Sequence, residues 1–256
     1  MDGDLEGKPF ERWLEALERK HLAELTFAEV RRALQALSSL YVERRNNLPG
    51  GAALDGAGKR AAFALFYGPL HYLLVDAIIR SLAAETRAPS RILDLGCGTG
   101  VAGAAWALAC NAAPAITGVD RSPWALEEAR WTYRMLGVRG RTRQGDVPGY
   151  PMAGSDGVIA AFAVNELAPP ARETLLRKML TVARSGVQLL VIEPVAHGAA
   201  PWWDEWSKAI RAAGGRDDTW RFPAVLPGIL RSLDHAAGLD HAELTGRSLW
   251  LGPYGV

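Results

Sequence analysis

The segment that decides the fold is RILDLGCGTG, Arg91 to Gly100. Ile92, Leu93 and Leu95 form a short run broken only by Asp94, as in a strand buried on both faces. The run passes directly into Gly96, Gly98 and Gly100. Glycine tolerates positive φ and, lacking a Cβ, lets another group approach the backbone. The alanine-rich helix expected over GVAGAAWALACN would aim its free N–H groups at the same point. A strand, a glycine turn and a helix in that order make a ligand cradle at the carboxyl edge of an open α/β sheet.

Outward from this segment the alternation continues. AITGVD reads as a strand and SPWALEEARWTYRMLG as a helix, with Ser122 as cap and Pro123 at the first helical position. RTRQGD is a weaker strand, GVIAAFAV a strand, PPARETLLRKMLTVAR a helix and VQLLVIE a strand. Apolar strands alternating with helices specify a mostly parallel sheet covered on both faces. Past Glu193 the pattern loosens into a tryptophan-rich helix near 202–213, a strand near DTWRF and a firmer strand at LTGRSLWLG.

Upstream, residues 5 to about 86 read as helical. Thr26 and Glu29 have capping-box spacing, followed by Val30, Ala33, Leu34, Leu37 and Tyr41 at helical spacing. NNLPGGAALDGAGK carries turn chemistry, and RAAFALFYGPLHYLLVDAIIRSL is a second apolar helix expected to break or kink near Gly68-Pro69. The chain thus divides into a helical N-terminal region, 1–88, and an α/β domain, 89–256.

Composition sets bounds on function. With 49% hydrophobic and 22% charged residues the chain can build a real core, and its formal charge of +1 supplies no global attraction to polyanions. Cys97 and Cys110 are too few for a disulfide framework and fit a reducing, cytoplasmic setting. The N-terminus lacks a secretory signal. No apolar run reaches the roughly 18 residues of a membrane span, since LLVDAII and VQLLVIE are interrupted or closed by acids.

Two ligand classes compete for the glycine turn. Read from Gly98, the sequence through Gly103 satisfies the dinucleotide pattern GxGxxG, with Asp120 as ribose acid. Read from Asp94 it is DxGxGxG. The second reading is favoured because Asp94 suits an ammonium and would repel a pyrophosphate. It also gives Gly96 a role, and Asp146 in RQGDV adds a further acid at the same sheet edge.

With ILDLGCGTG, GVDRS and QGDV at these spacings, residues 91–193 resemble class I S-adenosylmethionine-dependent methyltransferases. The resemblance implies a Rossmann-like, seven-stranded, mostly parallel sheet with helices on both faces and an antiparallel final strand. It implies that Gly96, Gly98 and Gly100, with Asp94 and Leu95, hold the methionine portion of S-adenosyl-L-methionine. Asp120 and Arg121 would lie at the ribose, Asp146 and Val147 beside adenine, and Ala163 at the fourth strand's end. A narrower likeness, carried by RALQALSSLYVERR, ILDLGCGTG and LPGILRSLDHAAGLDHAELTGRS, is to the ribosomal small-subunit-associated methyltransferase-like family of bacteria and mitochondria. This implies ribosomal RNA or a ribosome-assembly intermediate as acceptor. Mitochondrial members bind an iron–sulfur cluster through cysteines; two cysteines cannot supply four thiolates, so no cluster and no metal site is expected.

Methyl transfer from a sulfonium needs alignment and a dry site, and a base only if the acceptor arrives protonated. Asn165 and Glu166, just past the fourth strand, are the candidate catalytic residues. The amide-methylating Asn-Pro-Pro-Tyr signature is absent, its place taken by Asn165-Glu166-Leu167-Ala168. Tyr67 and His71, four apart on one helical face, are candidate substrate residues, with core packing as the competing reading. His197, Trp202 and Trp203 are further substrate candidates, although tryptophans past residue 200 serve equally as core. Lys59, Arg60, Arg44 and Arg45 could grip phosphates, yet acids and bases balance over 1–90. Arg139, Arg141 and Arg143 alternate on one side of an expected edge strand and would guard it against pairing. The rival expectations are a small-molecule methyltransferase and a ribosome-assembly factor that binds the donor without turnover. An NAD-dependent oxidoreductase is the least favoured.

Overall fold

The computed structural model describes residues 9–43, 54–195 and 200–253. Arg44, Arg45 and His197 lie outside the described residues.

Seven strands form one sheet in the order β3-β2-β1-β4-β5-β7-β6. They are β1 (Arg91–Leu95), β2 (Ala115–Asp120), β3 (Gly140–Gln144), β4 (Gly157–Ala161), β5 (Gln188–Glu193), β6 (Arg216–Pro223) and β7 (Glu243–Leu251). The first five run parallel, while β7 is antiparallel to β5 and β6 to β7. The chain order reverses between β1 and β4, which opens a crevice at their carboxyl ends.

Each buried strand supplies two cores. Ile92, Ile159, Leu190 and Ile192 face one layer, and Leu93, Leu95, Val158, Leu189 and Val191 face the other. The first layer packs under α4 (Gly68–Leu82), α5 (Val101–Ala109) and α6 (Pro123–Met135); the second packs under α7 (Pro169–Ala183) and α8 (Trp203–Ala212). A last helix, α9 (Gly228–Ala236), was not signalled by the sequence pattern.

The N-terminal region consists of α1 (Pro9–His21), α2 (Phe27–Glu43) and α3 (Ala57–Ala62), leading into α4. The expected capping box forms reciprocally: Thr26 N–H donates to Glu29 Oε2 at 2.8 Å and Glu29 N–H donates to Thr26 Oγ1 at 3.3 Å. The α1 helix is fastened to α6 by Lys20 and His21, whose nitrogens lie 2.6 and 3.0 Å from the carboxylate of buried Glu128.

Two expectations are corrected here. Gly68-Pro69 does not break the helix. The backbone widens into a π turn over Phe63–Tyr67, where Gly68 N–H donates to the Phe63 carbonyl, and the helix then continues. The wide turn accommodates a proline ring that cannot donate to the preceding turn. In consequence Ala57–Leu82 is one continuous helix that is long and apolar enough to cross a membrane, contrary to the sequence-level count. Here it is a core helix, with Val75, Ile78 and Ile79 fully buried against the sheet layer.

Candidate active site

The glycine loop is shaped by contacts that admit only glycine at two positions. Gly96 has φ +70°, and a Cβ there would lie 2.5 Å from the Ala163 Cβ. This packs the loop directly on the turn after β4, with Val147 also adjacent. Gly100 has φ +82°, and a Cβ would meet the Tyr133 ring at 2.7 Å. At Gly98, with φ +50°, nothing stands within 4 Å of a Cβ position, so its face is open. Gly96 and Cys97 N–H groups both donate to the Val119 carbonyl, pinning the loop to β2.

Acids surround that opening in different states. Asp94 is fully buried in β1; its Oδ2 accepts from Gly103 N–H at 2.8 Å, and its Oδ1 has no partner among the described residues. Burial pushes its carboxyl up to about 7, opposed by the Gly103 hydrogen bond and reinforced by Asp120. Asp120, at the β2 tip, accepts from Gly98 N–H at 3.0 Å and Ser122 N–H at 2.8 Å, so it shapes both the loop and the start of α6. Asp146 is exposed beyond β3, 3.8 Å from the Arg121 guanidinium, and Val147 behind it is buried. Glu166 opens to solvent. Desolvation by the cleft walls and the charge on Asp120 raise its carboxyl above the ordinary range.

The turn after β4 is held by a residue that sequence reasoning did not single out. Glu193, fully buried at the β5 tip, accepts from Val164 N–H at 2.9 Å, Asn165 N–H at 3.2 Å and Asn165 Nδ2 at 2.8 Å. Burial raises its carboxyl to about 8 against these donors. Trp202 Nε1 donates to Asn165 Oδ1 at 2.9 Å, so both ends of the Asn165 amide are engaged. The Asn165 side chain therefore braces the turn, and Glu166 alone of the pair opens outward. The available signal was an acid ending an apolar strand, as Asp120 ends β2.

Trp202 and Trp203 are buried, and the Arg247 guanidinium lies 4.2 Å over the Trp203 ring. Neither ring offers a free stacking face. Trp203 Nε1 donates to Asp217 at 3.4 Å, tying α8 to β6.

On the opposite wall, Gly68 brings α4 onto the loop, where a Cβ would meet Thr99 Oγ1 at 3.3 Å. Tyr67 bonds Ser38, and burial pushes its phenol up to about 12. His71 stacks on Phe162 with centroids 3.8 Å apart and planes 18° off parallel. Burial pushes its imidazole down to about 3, leaving it neutral. Phe162 has φ +58°, a conformation costing an L-residue about 1–2 kcal/mol. It ends the strand at Ala161, three residues short of the Val164 end expected for GVIAAFAV.

Residues 92–186 match the family model described as a methyltransferase domain. No curated protein sequence matches the chain. Among solved structures, a candidate O-methyltransferase from Nostoc punctiforme is 16% identical, over 91% of this chain and 72% of its own, with a TM-score of 0.54. The N-methyltransferase NodS from Bradyrhizobium japonicum, crystallised with S-adenosyl-L-homocysteine, is 15% identical over 87% of this chain and 99% of its own, with a TM-score of 0.50. The fold is that of the class I methyltransferases. Within it, residues 92–186 are the part of the chain that matches a methyltransferase domain.

Proposed function

We propose that this protein binds S-adenosyl-L-methionine at the β1–β4 crevice and transfers its methyl group to a small acceptor entering beneath α4. The observation that carries the reading is the orphaned, buried Asp94 Oδ1 beside a glycine loop whose Gly98 face is open. A carboxylate oxygen desolvated without a donor is costly, and an ammonium group would satisfy it. Asp94 would hold the donor's ammonium, Asp120 its ribose, and Asp146 with Val147 its adenine. The bound donor supplies an electrophilic methyl group on a sulfonium.

The chain's own residues do the rest. Gly96 and Ala163, in mutual contact, set the depth of the cleft floor. Glu193 fixes the turn that presents Glu166, whose raised carboxyl suits it to accept a proton from an acceptor hydroxyl or amine. Phe162 and α4 keep water from the approach. Residues 89–256 would be the catalytic domain and 1–88 its helical cover. Two buried, unpaired cysteines support a cytoplasmic location.

Ribosomal RNA is the second reading, supported by the exposed arginines Arg141 and Arg143 of edge strand β3 and Arg139 just before it. The small acceptor is favoured because Asp120, Asp146 and Glu166 ring the mouth, and these acids repel a polyanion. The test is transfer of radiolabelled methyl into a cell extract, with products separated by size and nuclease sensitivity. Label in small, nuclease-resistant material supports the proposal; label confined to ribosomal RNA refutes the small acceptor. No transfer by the wild type, despite homocysteine-product binding, refutes turnover. Glu166→Gln should cut transfer at least about tenfold if Glu166 is the base.

A further inference from the structure

Five aromatic side chains converge on the α4 side of the cleft: Phe63, Tyr67, His71, Trp124 and Phe162. All are half-buried, which distinguishes them from the fully buried rings of the core such as Trp106 and Phe66. Phe63 meets His71 edge-on at 6.4 Å and Trp124 edge-on at 6.4 Å; Tyr67 lies 6.0 Å from His71. The group spans from Trp124, four residues past Asp120, to Phe162, which precedes the Ala163 that touches Gly96. It therefore borders the glycine loop on the side facing the turn after β4.

Two independent features show that these rings are aimed. Phe162 occupies left-handed backbone space at φ +58°, a position glycine would fill without strain. Its N–H is spent on the Ile192 carbonyl, so the turn is anchored while the ring leaves the sheet for His71. His71 is half-buried and makes no hydrogen bond to another described residue, so its ring nitrogens are available to a ligand.

We propose that the His71–Phe162 stack is the specificity wall of the acceptor site and that it selects a small planar aromatic acceptor bearing a hydroxyl or amino group. This rests on the methyl-transfer reading above. Rigid rings cover the flat body of such a molecule at low entropic cost. The His71 imidazole, without a partner, bonds its polar substituent. An aliphatic acceptor would fill the space without matching the ring faces, and an RNA strand would carry phosphates past Asp146 and Glu166.

The experiment uses the full chain and two probes of similar size, catechol and cyclohexanol. Each is titrated by saturation-transfer NMR in the presence of saturating S-adenosyl-L-homocysteine. Catechol should bind saturably and cyclohexanol at least about tenfold more weakly. Phe162→Gly removes the ring while suiting the backbone, and His71→Leu keeps the volume while removing the nitrogens. Both should lose catechol at least about tenfold and keep homocysteine-product affinity within about twofold. Equal binding of the two probes, or catechol affinity unchanged in Phe162→Gly, overturns the specificity wall and leaves the donor site standing. Loss of product binding in the wild type overturns the donor reading itself. Catechol displaced by a short single-stranded RNA, in competition relieved by salt, overturns the small acceptor in favour of nucleic acid.

Discussion

Lowering the pH from 7.5 to 5.5 should weaken S-adenosyl-L-homocysteine binding about 25-fold, and Asp94 is the reason. Its carboxyl sits at about 7 in the empty protein because burial outweighs the one hydrogen bond from Gly103. An ammonium group against the orphaned Oδ1 stabilises the charged form, so binding must expel any proton already there. A group titrating near 7 is about three-quarters ionised at pH 7.5 and about 3% ionised at pH 5.5. The ratio of those fractions is the loss of affinity, worth about 1.9 kcal/mol. Isothermal titration at pH 6 in buffers of different ionisation enthalpy should register about 0.9 proton released per ligand bound. Asp94→Asn keeps an acceptor for Gly103 N–H and removes the titration; it should bind more weakly at pH 7.5 and show no dependence between 5.5 and 7.5. A wild-type affinity that stays flat over that range, with no proton release, refutes the reasoning.

Stability should move the opposite way. Asp94 and Glu193 both have folded-state values raised above their unfolded ones, to about 7 and about 8. Their stabilisation is complete below the unfolded carboxyl range and is lost as pH rises through those values. Thermal melts of the empty protein should fall between pH 5 and pH 8, and saturating product should flatten the fall by relieving Asp94. Glu128→Ala should cost roughly 2 kcal/mol in denaturant unfolding, because Lys20 and His21 lose the carboxylate that fastens α1 to α6. Gly98→Ala meets only backbone strain, about 1–2 kcal/mol. Gly96→Ala adds a 2.5 Å collision with Ala163. Gly96→Ala should therefore be the more destabilised in melts and lose product binding, while Gly98→Ala folds.

The centre of the sheet was legible because β1, β4 and β5 carry mostly apolar runs, and a strand buried on both faces has little freedom to be anything else. The glycine loop and its acids stood out for a related reason: acids and glycines at strand tips are expensive without a ligand. Elements decided by tertiary contact were not. Gly68-Pro69 looks like a break until α4 is seen packed on Thr99, where a π turn absorbs the proline. Phe162 carries no sequence mark of positive φ, so β4 was read too long. Asn165 was a catalytic candidate for its place just past the fourth strand. Only the buried Glu193 carboxylate, brought in from the next strand, shows that its amide braces the turn. Trp202 and Trp203 were substrate candidates whose burial is visible only once α8 is folded onto β6 and β7. Short α9 has a strong apolar face, but Pro227 and Gly228 at its start masked the helix.

The account depends on a desolvated aspartate that lacks a cation and a loop that leaves room for one. A crystal structure of the protein with S-adenosyl-L-homocysteine tests this most directly. The account predicts the amino group within hydrogen-bond reach of Asp94 and the ribose diol on Asp120. An empty crevice at saturating ligand, or a dinucleotide whose pyrophosphate occupies the loop at Gly98, would contradict it.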